Sequence, residues 1–185
     1  MNLEEPFATT LAAAQAGAEW ALARLYRDLH PRILRYLRAM EPGEAEDLAS
    51  EVWLDVAAGL GRFEGDDHAF RAWTFTIARR RLLDLRRQRT RRATSPAPVE
   101  TLVGLAGTGD VEQEAMATLG TEAALARIAT LPSDQAEVVL LRVLAGLGVD
   151  EVAEIMGKRP GTVRVLQHRD LKRLAGAIRR EVVTG

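Results

Sequence analysis

The chain has 185 residues, of which 47% are hydrophobic and 28% charged, with a net charge of −1. That composition excludes a disordered chain and suits one ordinary domain or two small ones. Cysteine is absent, which excludes disulfides, thiolate metal sites and cysteine nucleophiles.

Met1 to Pro6 carries Glu4 and Glu5 where a secretory signal would carry basic residues. No apolar run approaches the roughly 18 residues of a membrane span. A soluble, cytoplasmic protein is expected.

In chain order the periods are helical, and strand signals are nearly absent. Trp20, Ala21, Leu25, Leu29, Ile33, Leu34, Leu37 and Met40 recur at three- and four-residue steps, with Pro31 expected to kink or divide the helix. After Pro42-Gly43 a second helix opens near Glu44 and runs to about Leu60, with Leu48, Val52 and Val56 on one face. Gly61 to Asp67 reads as a loop. A third helix starts near His68 or Ala69 and carries Trp73, Ile77, Leu82 and Leu85 into an arginine-rich stretch.

Ala93 to Ala117 reads as a linker, with Ser95-Pro96-Ala97-Pro98 followed by Gly104, Gly107 and Gly109. The expected organisation is therefore a domain at 1–92, a linker at 93–117 and a second domain at 118–185. The fold class is all-α. Beyond the linker, Leu119 to Thr130 forms a helix stopped at Leu131-Pro132, and Ser133 or Asp134 caps the next, which ends at Gly146. Val149 to Met156 follows, then a break at Gly157-Lys158-Arg159 and a last helix from Pro160 to Val183.

The near-zero net charge hides segregation. Glu41 to Asp55 holds six acidic residues and no basic one. Arg79 to Arg92 holds eight arginines against Asp84, and Lys158 to Arg180 holds eight basic residues against Asp170, so each block nets +7. One such block is commonly a solvated helix face, but two beside helical patterns point towards phosphate binding. All nine aromatics lie between Phe7 and Phe75, so any base stacking belongs to the N-terminal part.

Gly148 to Gly157 followed by Lys158 to Arg164 reads as helix–turn–helix. Ala153 permits a close crossing, Val152 and Ile155 face inward, Gly157 allows the turn and Val163 returns to the core. The exposed face of the last helix then shows Thr162, Arg164, Val165, His168, Arg169 and Lys172, suited to a major groove. No enzyme constellation accompanies it. His30, His68 and His168 lack metal-ligand spacing, and neither a phosphate-cradling glycine loop nor a nucleophile elbow is present.

Leu131-Pro-x-x-Gln135, Leu141-Arg142, Gly146-Leu147, Glu151-Val-Ala-Glu-Ile-Met-Gly157 and Gly161-Thr-Val-Arg164 resemble the fourth conserved region of bacterial sigma factors, most closely the small extracytoplasmic-function group. That resemblance implies reading of the −35 promoter element, with contacts falling on Arg164, Val165, His168 and Arg169. Gly148 stands where a capping Ser is usual, and Val165 where Ser is frequent.

Asp47-Leu-Ala-Ser-Glu51-Val-Trp53-Leu-Asp55-Val56 resembles the second-region helix that grips RNA polymerase. Leu48 and Val52 would pack inward, and Asp47, Glu51 and Asp55 would form an acidic stripe for the β′ coiled coil. Phe70-Arg71-Ala-Trp73, Ile77-Ala78-Arg79, Asp84 and Arg86-Arg87 resemble the segment that melts and captures the −10 element, with Arg80 where Asn is usual. Flipping a base costs a few kcal/mol, which a pocket of aromatic and basic groups must replace.

The resemblance implies a transcription initiation factor, not an enzyme, with no cofactor and no small-molecule substrate. Its implied partners are core RNA polymerase through β′ and β, promoter DNA and an anti-sigma factor. With Gly185 as its end, regulation by a fused C-terminal domain is not expected. The rival readings are a helix–turn–helix regulator independent of polymerase, which leaves Phe70 to Arg92 unexplained, and a helical adaptor, which leaves both basic blocks accidental.

Overall fold

The computed structural model describes residues 6–93 and 125–168. Those residues contain helices and turns and no strand, as an all-α fold requires. The first four helices are α1 (Phe7–Gln15), α2 (Glu19–Met40), α3 (Ala45–Leu60) and α4 (Asp67–Ala93), with a 3-10 turn at Pro42–Glu44. Helical residues at 125–129 lead to α5 (Ser133–Leu144) and α6 (Val149–Met156). The last described helix, α7, occupies 160–168. The continuation expected to Val183, the helix start expected at Leu119 and the linker's interior lie outside the described residues.

Amphipathic periodicity builds the N-terminal bundle. Ala21, Leu25, Leu29, Ile33, Tyr36, Leu37 and Met40 form the buried stripe of α2, and Leu48, Ala49, Val52, Val56 and Leu60 that of α3. These stripes close on Phe70, Phe75, Ile77, Ala78 and Leu82 of α4. Pro31 does not divide α2, because buried Leu29 and Ile33 pack on either side of it and hold both halves in one helix. Trp20, which fits the apolar period, is half-exposed at the start of α2.

Residues Gln135 to Leu141 of α5 are all buried, so this stretch of the helix is enclosed on every side, while Val143 near its end is exposed. It packs against α2 on one side and α6 on the other, joining the C-terminal helices to the N-terminal bundle. The expected cap is absent. Pro132 precedes the helix without a side-chain cap, Ser133 Oγ accepts from Arg86 at 3.3 Å, and Asp134 accepts from Lys158 Nζ at 2.7 Å. At the start of α4 the cap is Asp66, whose Oδ1 accepts from the Ala69 N–H at 2.8 Å.

No helix among the described residues is long and apolar enough to cross a membrane.

Candidate nucleic-acid interface

The helix–turn–helix forms as its residues dictate. Gly148 caps α6 without a side chain of its own; Glu151 Oε2 accepts its N–H at 2.6 Å, the half of a capping box that needs no side chain at the cap. Gly157 turns the chain with φ of +63°, a conformation that costs other residues a Cβ clash. Val152 and Ala153 are buried, Ile155 is half-buried, and Val163 is fully buried where α7 returns. Thr162, Arg164, Val165 and His168 consequently face solvent, with Val165 50% exposed. Among the described residues the nearest acid to Arg164 is Asp150, at 3.9 Å. Arg169 and Lys172 lie outside the described residues.

The α4 surface differs from expectation. Phe70 is 2% exposed, within an aromatic cluster with Phe7, Phe63 and Trp73 at centroid separations of 5.4–5.8 Å. It is a core residue, not a base platform: α4 opens at Asp67, within two residues of the expected start, but this ring packs inward on Phe7 and Phe63. Trp73 is half-buried and lies so close to Gly59 that a Cβ there would meet its ring at 2.7 Å. Arg71 pairs with Asp67 at 3.2 Å.

The arginines of α4 are largely engaged within the molecule. Arg80 and Arg81 both donate to Asp55 Oδ2, at 2.8 and 2.7 Å, and Arg81 also reaches Asp55 Oδ1 at 2.6 Å and Glu51 at 3.3 Å. The Arg81 hydrogen bonds, followed by those of Arg80, hold the Asp55 carboxyl below its usual range. Arg86 donates to Glu41 at 2.8 Å and to the Met40 carbonyl at 3.2 Å. Arg87 pairs with Asp84 at 3.2 Å but stays largely exposed.

On α3, Leu48 and Val52 pack inward and Asp47 and Glu51 are exposed, as the stripe requires. Asp55 departs from it. Its side chain is only 22% exposed and is clamped by two arginines of α4. Leu54, at 70% exposed, projects from the same helix, and Tyr26 is also exposed over a groove of about 330 Å³ lined by Leu22, Trp53 and Ala57.

Two groups that sequence reasoning passes over join the N- and C-terminal helices. Glu137 of α5 is 3% exposed and accepts from the Tyr36 hydroxyl and from Arg79 Nε, both at 2.9 Å. Arg79 also donates to the Ile155 carbonyl at 3.0 Å, so it is not open to solvent as a strand contact would be. Burial, reinforced by the Glu137 charge, pushes the Tyr36 hydroxyl well above its ordinary pKa. His68 Nε2 lies 2.7 Å from Glu151 Oε1. A carboxylate within the apolar run Ala136 to Leu141 was the available signal for Glu137.

The Sigma-70 region 2 family model matches residues 25–92, and the Sigma-70, region 4 model matches 121–174. The ECF RNA polymerase sigma factor ShbA of Streptomyces griseus is 36% identical over 170 residues, covering 87% of this chain and 89% of that protein. The ECF RNA polymerase sigma factor SigD of Mycobacterium tuberculosis is 33% identical over 174 residues, covering 91% and 82%. Among solved structures, CnrH in complex with the cytosolic domain of CnrY aligns with a TM-score of 0.62 at 18% identity, over 95% of this chain and 99% of that one. RpoE in complex with the anti-sigma factor NepR from Bartonella quintana gives 0.62 at 21%, over 85% and 96%. These two likenesses establish a common fold.

Proposed function

The chain belongs to the extracytoplasmic-function sigma factors of RNA polymerase, proteins of promoter-directed transcription initiation, and from that membership we propose how its residues divide the work. The division runs 1–92 for polymerase binding and the −10 element, 93–117 for the linker, and 118–185 for the −35 element.

The −35 duplex is read by α7. Arg164 supplies a forked donor to a guanine edge, Val165 an apolar contact to a thymine methyl, and Thr162 and His168 phosphate contacts. Arg169 and Lys172 extend this face in the sequence. The single observation that carries the reading is this exposed constellation on α7, held by the Gly157 turn and the Glu151 anchor.

Core polymerase is gripped by α3. Asp47 and Glu51 offer charge, Leu54 and the Tyr26 groove offer apolar area, and Leu48 and Val52 hold the helix in place. Asp55 acts differently from its neighbours: it fixes α4 against α3 through Arg80 and Arg81. The −10 strand is held by Arg87, the most exposed of these arginines, with Arg80, Arg86 and Arg79 available once their carboxylate partners are exchanged for phosphate. Trp73 lines that segment from its half-buried position.

The work is binding and not catalysis; no cofactor or small-molecule substrate enters. The chain acts in the cytoplasm beside the polymerase, under an anti-sigma factor. Transcription from a promoter library by core polymerase, with and without this protein, tests the reading. Transcripts from a defined promoter subset only when the protein is present are expected; an identical transcript set in both arms would overturn it.

A further inference from the structure

The described part of α7 presents two ridges of unlike character. Val163, fully buried, and Leu166, half-buried, form the inward ridge and seat the helix on the core. Thr162, Val165 and His168, also three residues apart, form the outward one. Val165 stands at its centre, 50% exposed, an apolar side chain between a hydroxyl and an imidazole. The inward seat fixes the roll of the helix, so Val165 is aimed outward and cannot turn away. A valine in a helix keeps one χ1 rotamer about 90% of the time. Its two methyl groups are therefore held in one arrangement before any DNA arrives, and little ordering is left to be done on binding.

The residues near the start of a recognition helix are those that meet base edges in the major groove. Those edges are hydrogen-bond donors and acceptors with one exception, the C5-methyl group of thymine. Against N7, O6, O4 or an amino group, valine strips away water and supplies no hydrogen bond in its place. Against a methyl group it buries apolar surface on both sides of the contact. A hydroxyl at the same position would instead pair with either kind of polar edge.

We propose that Val165 makes α7 a reader of the C5-methyl group itself, so that the −35 site takes 5-methylcytosine as well as thymine and discriminates against uracil and unmodified cytosine. The proposal rests on the reading of α7 above. Thymine carries O4 where 5-methylcytosine carries an amino group, but both carry the same methyl at C5. Valine bonds to neither exocyclic group, so it has no means of telling the two bases apart. Methylation of a cytosine at this position therefore converts a poor site into a good one. The consequence is a set of promoters whose strength responds to C5 methylation of the DNA.

Holoenzyme first selects its preferred upstream sequence from a pool randomised around −35. One selected promoter is then rebuilt with thymine, deoxyuridine, cytosine or 5-methylcytosine at each −35 pyrimidine singly, with adenine or guanine opposite as pairing requires. Competition for holoenzyme is measured with the wild-type chain, Val165→Ser and Thr162→Ser. Val165 is exposed and Ser ranks beside Val as a helix former, so Val165→Ser spares the fold, which the thermal midpoint checks. Thr162→Ser removes the other methyl group of this ridge and keeps its hydroxyl.

At one position thymine should compete about fourfold better than deoxyuridine, the worth of one buried methyl group. There 5-methylcytosine should exceed cytosine by the same factor. Both ratios should fall to about one with Val165→Ser and persist with Thr162→Ser. Equal competition by thymine and deoxyuridine at every −35 position, or by 5-methylcytosine and cytosine, would overturn the methyl reading. So would ratios that survive in Val165→Ser, or that collapse in Thr162→Ser alone. A pool with no upstream preference would remove the reading of α7 and the methyl reading with it, whereas a preserved preference without methyl dependence would remove the proposal alone.

Discussion

The two basic blocks carry the same sequence charge, yet α4 and the described part of α7 present their arginines differently. In α4, Arg79, Arg80, Arg81, Arg86, Arg87 and Arg89 all have carboxylate partners within the molecule, at 2.6–3.3 Å. In α7, Arg164 has no acid closer than 3.9 Å among the described residues, and Thr162, Val165 and His168 face solvent beside it. Charge density alone therefore does not show whether a surface is ready for phosphate. A strand binding α4 must displace carboxylates at 2.6–3.3 Å, whereas duplex binding the described part of α7 meets only the 3.9 Å approach of Asp150 to Arg164. The first block suits a step that follows a rearrangement, the second an initial encounter.

The sharpest break in this comparison would come from Phe70. As a core ring against Phe7, Phe63 and Trp73, its replacement by Ala should cost about 3–5 kcal/mol of stability, read as a fall in the denaturant midpoint. Were Phe70 a DNA-facing ring instead, stability would stay within about 0.5 kcal/mol and only strand binding would suffer.

The next effect separates two acids of one helix. Asp55→Lys faces Arg80 and Arg81 and should destabilise the fold by about 1–3 kcal/mol in chemical denaturation. Glu51→Lys lies on the exposed stripe and should leave the denaturation curve within about 0.5 kcal/mol while weakening competition for core polymerase. Equal destabilisation by both would show that α3 has no free acidic face.

Arg87 tests whether α4 touches phosphate at all. Arg87→Ala should slow promoter opening and lower the salt slope of open-complex formation by about 1, with little effect on stability, since its pair with Asp84 is exposed. An unchanged salt slope would argue against a phosphate contact there.

The smallest effect is in acid. Asp55 is held below its ordinary value by Arg81 and Arg80, and Glu151 by the Gly148 N–H and then His68. A depressed carboxyl contributes stability that is complete above its unfolded pKa and lost as pH falls through the folded value. Thermal midpoints should therefore be flat near neutrality and drop below about pH 4. Asp55→Asn should show a shallower drop than wild type; parallel curves would dissociate this pair from acid sensitivity.

Much of the fold was legible because it rests on local rules. The stripes of α2 and α3, the turn at Gly157 and the return of Val163 follow from spacing and from glycine's freedom at positive φ. Phe70 was not legible as core, since its ring partners Phe7 and Phe63 belong to α1 and to the loop after α3 and meet it only in the packed molecule. The pairing of Asp55 with Arg80 and Arg81 spans more than twenty residues and appears only when α3 packs on α4. Glu137 is the clearest lesson. Its position in an apolar run marks it as unusual, but its partners, 58 and 101 residues away, exist only in the packed molecule.

The most direct test is the upstream base preference recovered by holoenzyme from a promoter pool randomised around −35, comparing Arg164→Ala with Arg87→Ala. Relaxed preference in Arg164→Ala, by about 1–3 kcal/mol at the contacted pair, with an unaltered preference in Arg87→Ala, is the predicted result. Relaxation by Arg87→Ala alone would contradict the division of labour between the two basic blocks.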